Sequence, residues 1–229
     1  MDERKNQKNF IEQVKGKRKV QKESIGVYKY LVHHSFFDVL INAYPEFYKI
    51  IQEKNLQKEF DKSIFKFMQT DAFTPYIWQM PNEYRKFVKR AKYFKKLPYI
   101  HDLLRFEYSE LFIFMQKKEK KKKHPFNITR RYKLSKNIIM HRYNYDVASK
   151  NYTNKNKTYI LGYFDYKLDE VVYRPLDKFL YTYLKTMDKE ENLKVNLRIF
   201  FKKNKLAYKD YAKIFEKALE ELFLQKVLV

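Results

Sequence analysis

Cysteine is absent from the 229 residues of this chain, so it can build no disulfide, thiolate nucleophile or sulfur-ligated metal site. Glycine is nearly absent as well. Only three occur, which leaves hardly any material for a glycine-rich phosphate loop. No apolar run approaches the length of a transmembrane helix. The N-terminal stretch MDERKNQKNFIEQVKGKRKV has no continuous apolar segment of the kind a secretory signal carries. Cytoplasmic residence, with no membrane partner, is the expectation. No internal repeat is evident.

What is present is apolar and basic. The chain is 45% hydrophobic and 18% aromatic, too apolar to stay disordered and long enough to bury a sizeable core. The formal net charge of +23 draws polyanions and predicts non-specific, salt-sensitive binding to nucleic acid. Lysine far outnumbers arginine, and Phe, Tyr, Ile and Asn are abundant. Codon bias in an AT-rich genome produces the same composition, so charge alone assigns no partner.

The sequence divides at QKKEKKKKHPFN, residues 116–127, a charge block followed by proline that buries no face and reads as a basic linker. Residues 1–115 read as an all-α bundle. After a charged start, VYKYLVHHSFFDVLINAYPEFYKII sets Tyr28, Leu31, Val32, Phe36, Val39, Leu40 and Ala43 at helical spacing, and Pro45 should end that helix near Tyr44. Phe60, Ile64, Phe67 and Met68 mark a second helix over 56–68. DAFTPYIWQMP, with two prolines and the only tryptophan, reads as irregular, and NEYRKFVKRA restarts a helix with Asn82 as its cap. LPYIHDLLRFEYSELFIF, residues 97–114, closes the bundle. Pro98 suits its first turn, and Ile100, Leu103, Leu104, Leu111 and Phe114 face inward. Glu107 falls on that apolar stripe. Catalysis, a structural hydrogen bond inside the bundle, or contact with a partner would each put a carboxylate there.

Residues 128–229 read as α+β. NIIMHRYNYDV, KTYILGYFDY and EVVYRPL are rich in β-branched and aromatic residues and form three strands, the first two separated by a turn at 151–157 and the last two by a turn around 167–169. Asp177 then caps a helix with Phe179, Leu180, Tyr183, Leu184 and Met187 inward. Asp188 and Glu191 have the spacing of a capping box. A last helix buries Tyr211, Ile214, Phe215, Ala218, Leu219 and Leu222. The expected fold class is therefore α+β and mostly helical: an N-terminal all-α bundle followed by a small antiparallel sheet with winged-helix-like helices.

Catalytic and metal-binding constellations are missing. His33 and His34 are adjacent and point apart on a helix, while His101, His124 and His141 have no second ligand at coordinating spacing. No Glu-x-x-His pair and no nucleophile elbow is visible. The chain reads as non-enzymatic and without a cofactor. A winged-helix-like domain invites DNA, but the helix over 208–224 mixes Lys209, Lys213 and Lys217 with Asp210, Glu216, Glu220 and Glu221, a poor surface for reading base edges.

VYKYLVHHSFFDVLINAYP, PYIWQMPNEYRKFV and LPYIHDLLRFEYSE, in this order and spacing, resemble the bacterial HvfC/BufC-like proteins, which carry a historical DNA-binding-domain label. The likeness is strongest from Tyr28 to about Phe114. Glu107 occupies the family's Glu position, and Tyr108 stands where the family has Trp. The C-terminal part, from EVVYRPLD to the last helix, resembles the family's second domain more loosely. The resemblance implies a partner protein of multinuclear non-heme iron oxidative enzymes. Such a protein recruits a ribosomally made, Cys-containing precursor peptide and presents it for cysteine modification, often in copper handling. It implies Trp78, Pro81, Tyr99 and Glu107 as partner-interface candidates. Flexible leaders add as strands to open sheet edges, which makes Tyr159, Leu161, Tyr163, Val172 and Arg174, in 158–166 or 170–174, the peptide-binding candidates. A DNA-binding protein, such as a transcriptional regulator, is the alternative.

Overall fold

The computed structural model describes residues 3–70, 76–116, 124–152 and 155–229. Residues 1–2, the stretch 71–75, the whole lysine run at 117–123, and 153–154 within the expected β-turn lie outside the described residues. Two compact units make up the chain, Met1–Phe112 and Ile113–Val229. The protein is mostly helical α+β, with one three-stranded antiparallel sheet among the described residues.

The first unit comprises α1 (Glu3–Val14), α2 (Glu23–Ala43), α3 (Pro45–Glu53), α4 (Gln57–Met68), a 3₁₀ turn (Ile77–Gln79), α5 (Met80–Ala91) and most of α6 (Ile100–Met115). Pro45 breaks the chain as expected. Tyr44 leaves helical geometry at φ −135°, ψ 59°, and the proline begins α3 at a position whose N–H would have no intrahelical partner. Edge-to-face rings fill the interior: Phe47 on Phe60 (5.6 Å) and Phe67 on Tyr84 (5.5 Å). The Ser63 and Tyr84 hydroxyls meet there at 2.6 Å.

Three features differ from the sequence reading. The charged start forms helix α1. It ends in a Schellman motif at Gly16 (φ 73°), whose N–H donates to Gln13 O while Lys17 N–H donates to Glu12 O. Asn82 is not a cap, because α5 starts earlier, at Met80 and Pro81, and the Asn82 amide oxygen accepts instead from Arg85. Pro98 lies in a turn just ahead of α6, and Phe114 at the other end is 46% exposed, so the buried stripe of α6 is shorter than its apolar pattern.

The second unit carries β1 (Ile139–Tyr143), β2 (Thr158–Asp165), β3 (Glu170–Pro175), α7 (Lys178–Thr186), α8 (Leu193–Lys203) and α9 (Tyr208–Leu224). The sheet order is β1-β2-β3, with Ile139 opposite Gly162 and Tyr163 opposite Val172. Leu161, Tyr183, Leu184, Leu197, Phe201, Leu219 and Leu222 share one core. Asp177 caps α7 as expected, accepting from the Phe179 and Leu180 N–H groups. The next cap is Asn192, not Asp188 with Glu191, since the Asn192 side chain takes the Val195 N–H at 2.9 Å. Phe179, Tyr211 and Ile214, expected inward, are exposed.

With so few glycines, left-handed backbone falls to other residues. Asn55, Lys205 and Lys226 take positive φ where α3, α8 and α9 end. Each sits in a Schellman pair of bonds: Leu56 N–H to Ile51 O, Leu206 N–H to Phe201 O and Val227 N–H to Leu222 O close the wider rings.

Candidate functional site

Glu107 sits on α6 with both oxygens committed. Oε1 accepts from the Glu46 N–H at 2.7 Å and Oε2 from the Phe47 N–H at 3.2 Å. These are N–H groups in the first turn of α3, which a helix cannot satisfy itself. The natural capping residue, Tyr44, is fully buried and its hydroxyl donates to Pro81 O at 2.7 Å, so it cannot serve. Tyr44 N–H donates to Leu40 O, and Pro45 has no N–H. Glu107 therefore completes the accounting as a cap delivered from another helix, 61 residues away in sequence. The carboxylate also faces the positive end of the α3 dipole. Burial nevertheless dominates its titration and pushes the carboxyl up to about 8, against the pull of the two N–H donors and helped by the charges of Glu46 and Glu110.

The other interface candidates separate. Trp78 is half-buried in the 3₁₀ turn, its ring 6.4 Å from that of Tyr76 and nearly parallel, next to Ile77, which is 68% exposed. Tyr99 is half-buried, and burial with the nearby Glu53 charge raises its hydroxyl pKa. Pro81 is buried in the first turn of α5, with its carbonyl taken by Tyr44, so it offers no contact surface.

A surface that includes Tyr28 and Leu31, both expected inward, stands out instead. Val27, Tyr28, Tyr30 and Leu31 on α2, with Phe10 and Ile11 on α1, are exposed between 40% (Phe10) and 61% (Tyr30). Phe10 and Tyr28 meet edge to face at 5.7 Å, joining the two helices into one apolar face. Tyr30 and His34 continue it, hydroxyl to Nε2 at 2.6 Å. Tyr28 and Leu31 had been expected in the core. Helical period alone does not distinguish a core stripe from a docking stripe.

The peptide candidates lie on two strands of different standing. Tyr159, Leu161 and Tyr163 are on β2, the central strand, which pairs with β1 from Thr158 to Gly162 and with β3 from Ile160 to Asp165. Both sides of its backbone are taken over 160–162, while the β1 pairing stops short of 163–165. Leu161 and Tyr163 are buried, and the Tyr159 ring packs 4.7 Å from Tyr181. Val172 and Arg174 are on β3, an edge strand, but the Arg174 guanidinium is already paired with Glu221 of α9 at 2.9 Å. Among the described residues no group of three or more His, Asp or Glu side chains could hold a metal ion. No helix among them is long and apolar enough to cross a membrane.

Comparison of the sequence with models of known protein families and with curated proteins finds no match.

Proposed function

We propose that this chain is a non-catalytic adaptor. It binds a ribosomally made, Cys-containing precursor peptide and presents it to a multinuclear non-heme iron oxidative enzyme, which modifies the cysteine in a copper-handling pathway. The observation that carries this reading is the exposed apolar face of α1 and α2, built around Val27, Tyr28, Tyr30 and Leu31. Exposed aromatic and aliphatic side chains gathered on one face mark protein interfaces, with tyrosine among the residue types that anchor them. The residues on α2 also fall in the segment that resembles HvfC/BufC-like proteins. The iron enzyme is the partner assigned to this face. Glu107 then serves as a positioning group: it holds α3 against α6 in the unit that bears the face. The reading places the adaptor in the cytoplasm, where precursor peptides are made.

Reconstitution tests it. Precursor peptide is incubated with the iron enzyme, with this chain, or with both, and peptide mass is followed. Modification should require both proteins, and this chain with iron alone should leave the peptide unchanged. Equal modification without this chain, or modification by it alone, would contradict the adaptor reading.

One observation favours the DNA-binding alternative. α8 exposes Lys194, Arg198 and Lys202 at four-residue spacing and is joined to α9 by residues 204–207 in a helix–turn–helix arrangement. Retention of one duplex over scrambled competitor at physiological salt would support it.

A further inference from the structure

From Asn192 to Lys209 the chain carries six lysines and arginines and no acidic residue. All six are exposed, and among the described residues none of them is in an ion pair. Two arginines elsewhere in this unit are compensated: Arg131 approaches Glu190 at 4.0 Å and Arg174 meets Glu221 at 2.9 Å. Helix geometry turns three of the six into a ridge. Lys194, Arg198 and Lys202 follow one another four residues apart on α8, away from the side on which Leu193, Leu197 and Phe201 enter the core. At about 1.5 Å of rise per residue the ridge is about 12 Å long, room for about three successive phosphates of one strand.

The ridge continues onto α9 as an aromatic surface. The Arg198 guanidinium lies over the Tyr208 ring, 5.7 Å from its centroid. Tyr211, about one turn further along α9, packs its ring 6.3 Å from that of Phe201, the residue before Lys202, and is still 41% exposed. Cations and an open ring thus share one surface where α8 meets α9. The first acid beyond the ridge, Asp210, is turned about 100° from Tyr211 round the helix. A polyanion alone answers the cations and leaves the ring in water. A chain of phosphates that bears bases answers both, because a base has a flat face to stack on an exposed ring. In a duplex those faces are already stacked on one another. α9, the helix that would enter the groove, also mixes Lys213 and Lys217 with Glu216, Glu220 and Glu221.

We propose that the α8–α9 junction binds single-stranded nucleic acid without regard to sequence, with backbone phosphates on Lys194, Arg198 and Lys202 and a base stacked on Tyr211. Every base has a face to stack, so the site selects strand state and not sequence. This separates it from the regulator alternative, which needs a preferred duplex. It does not rest on the adaptor reading, which concerns the other unit's apolar face.

The probe is a fluorescent oligothymidylate, titrated with the full chain and read by anisotropy. A duplex of equal length and polyglutamate serve as competitors. The triple variant Lys194→Gln, Arg198→Gln, Lys202→Gln should weaken binding at least about tenfold at physiological salt. It should also flatten the slope of log affinity against log salt by about 2, at about 0.7 for each lost phosphate contact. Lys54→Gln, Lys95→Gln, Lys96→Gln removes the same charge from the first unit and should change affinity by less than about twofold, which separates the ridge from the diffuse pull of the +23 charge. Tyr211→Ala should weaken binding at least about fivefold with the salt slope unchanged, while Tyr211→Phe keeps the ring and the affinity. Every substituted side chain is exposed, and a thermal melt verifies each fold. Absence of wild-type binding at physiological salt, equal losses in the two triple variants, or unchanged binding by Tyr211→Ala would each overturn the proposal. So would a duplex or polyglutamate that competes as well as unlabelled oligothymidylate, the first moving the ridge to duplex DNA and the second to an acidic protein.

Discussion

Removing the Glu107 carboxylate should destabilise the first unit through α3, not through loss of a core side chain. Glu107→Ala leaves the Glu46 and Phe47 N–H groups without acceptors in a partly buried place. A lost cap costs about 1 kcal/mol and a buried unsatisfied donor about 1–3 kcal/mol, so the sum is about 2–4 kcal/mol. That is a large share of the about 5–15 kcal/mol that holds a typical domain together, and a denaturant titration resolves it easily. Glu107→Gln keeps one acceptor and should lose about half as much. The pH dependence reports the burial of this carboxyl, which outweighs the pull of its two N–H donors. The folded-state pKa is raised from 4.5 to about 8, so the folded protein holds a proton that the unfolded chain has released. The stabilisation is complete below the unfolded value and is lost as pH rises towards about 8, at up to about 1.4 kcal/mol per pH unit. Glu107→Gln has no such proton. The stability difference, wild type minus Glu107→Gln, should therefore fall by about 2 kcal/mol from about pH 5.5 to about pH 7. His101, whose pKa is lowered by burial and by the charge of Lys89, contributes the opposite slope and cancels in that difference. Equal stability of Glu107→Ala and wild type would refute the capping argument, and a pH-independent difference for Glu107→Gln would refute the dominance of burial over the two N–H donors in its titration.

Two further substitutions probe the left-handed positions. Lys205→Gly relieves a positive φ of 56° at an exposed helix end and should raise stability by about 0.5–1 kcal/mol in the same titration. Gly16→Ala should do the reverse by at least about 1 kcal/mol, because φ is 73° and the new Cβ would lie 2.7 Å from Phe65 Cζ; a melting temperature equal to wild type would show that α1 does not pack there.

Much of the fold was legible because single residues carry the signals. Pro45 separates α2 from α3, Asp177 starts α7, and β-branched runs mark the three strands. Glu107 announced itself by interrupting an apolar stripe, but its acceptor role was hidden, since the N–H groups it serves are 61 residues away. Helix α1 was missed because charged residues surround Phe10, Ile11 and Val14, although Gly16 was an available stop signal. Pro81 in the first turn of α5 likewise argued for a start before Asn82. The central place of β2 could have been read from its position between two turns, which makes three consecutive strands a meander. Exposure of Tyr28 and Leu31 was not legible at all, because the same spacing serves a core and a docking surface.

The affinity of this chain for the iron enzyme, measured for wild type and for the Tyr28→Glu, Leu31→Glu double variant, tests the adaptor reading most directly. Both side chains are more than half exposed, so the variant should melt with wild type. Two anchors at an interface are together worth at least about 3 kcal/mol, so binding should weaken by more than about a hundredfold. Undiminished affinity in a folded double variant would contradict the assignment of this face to the enzyme.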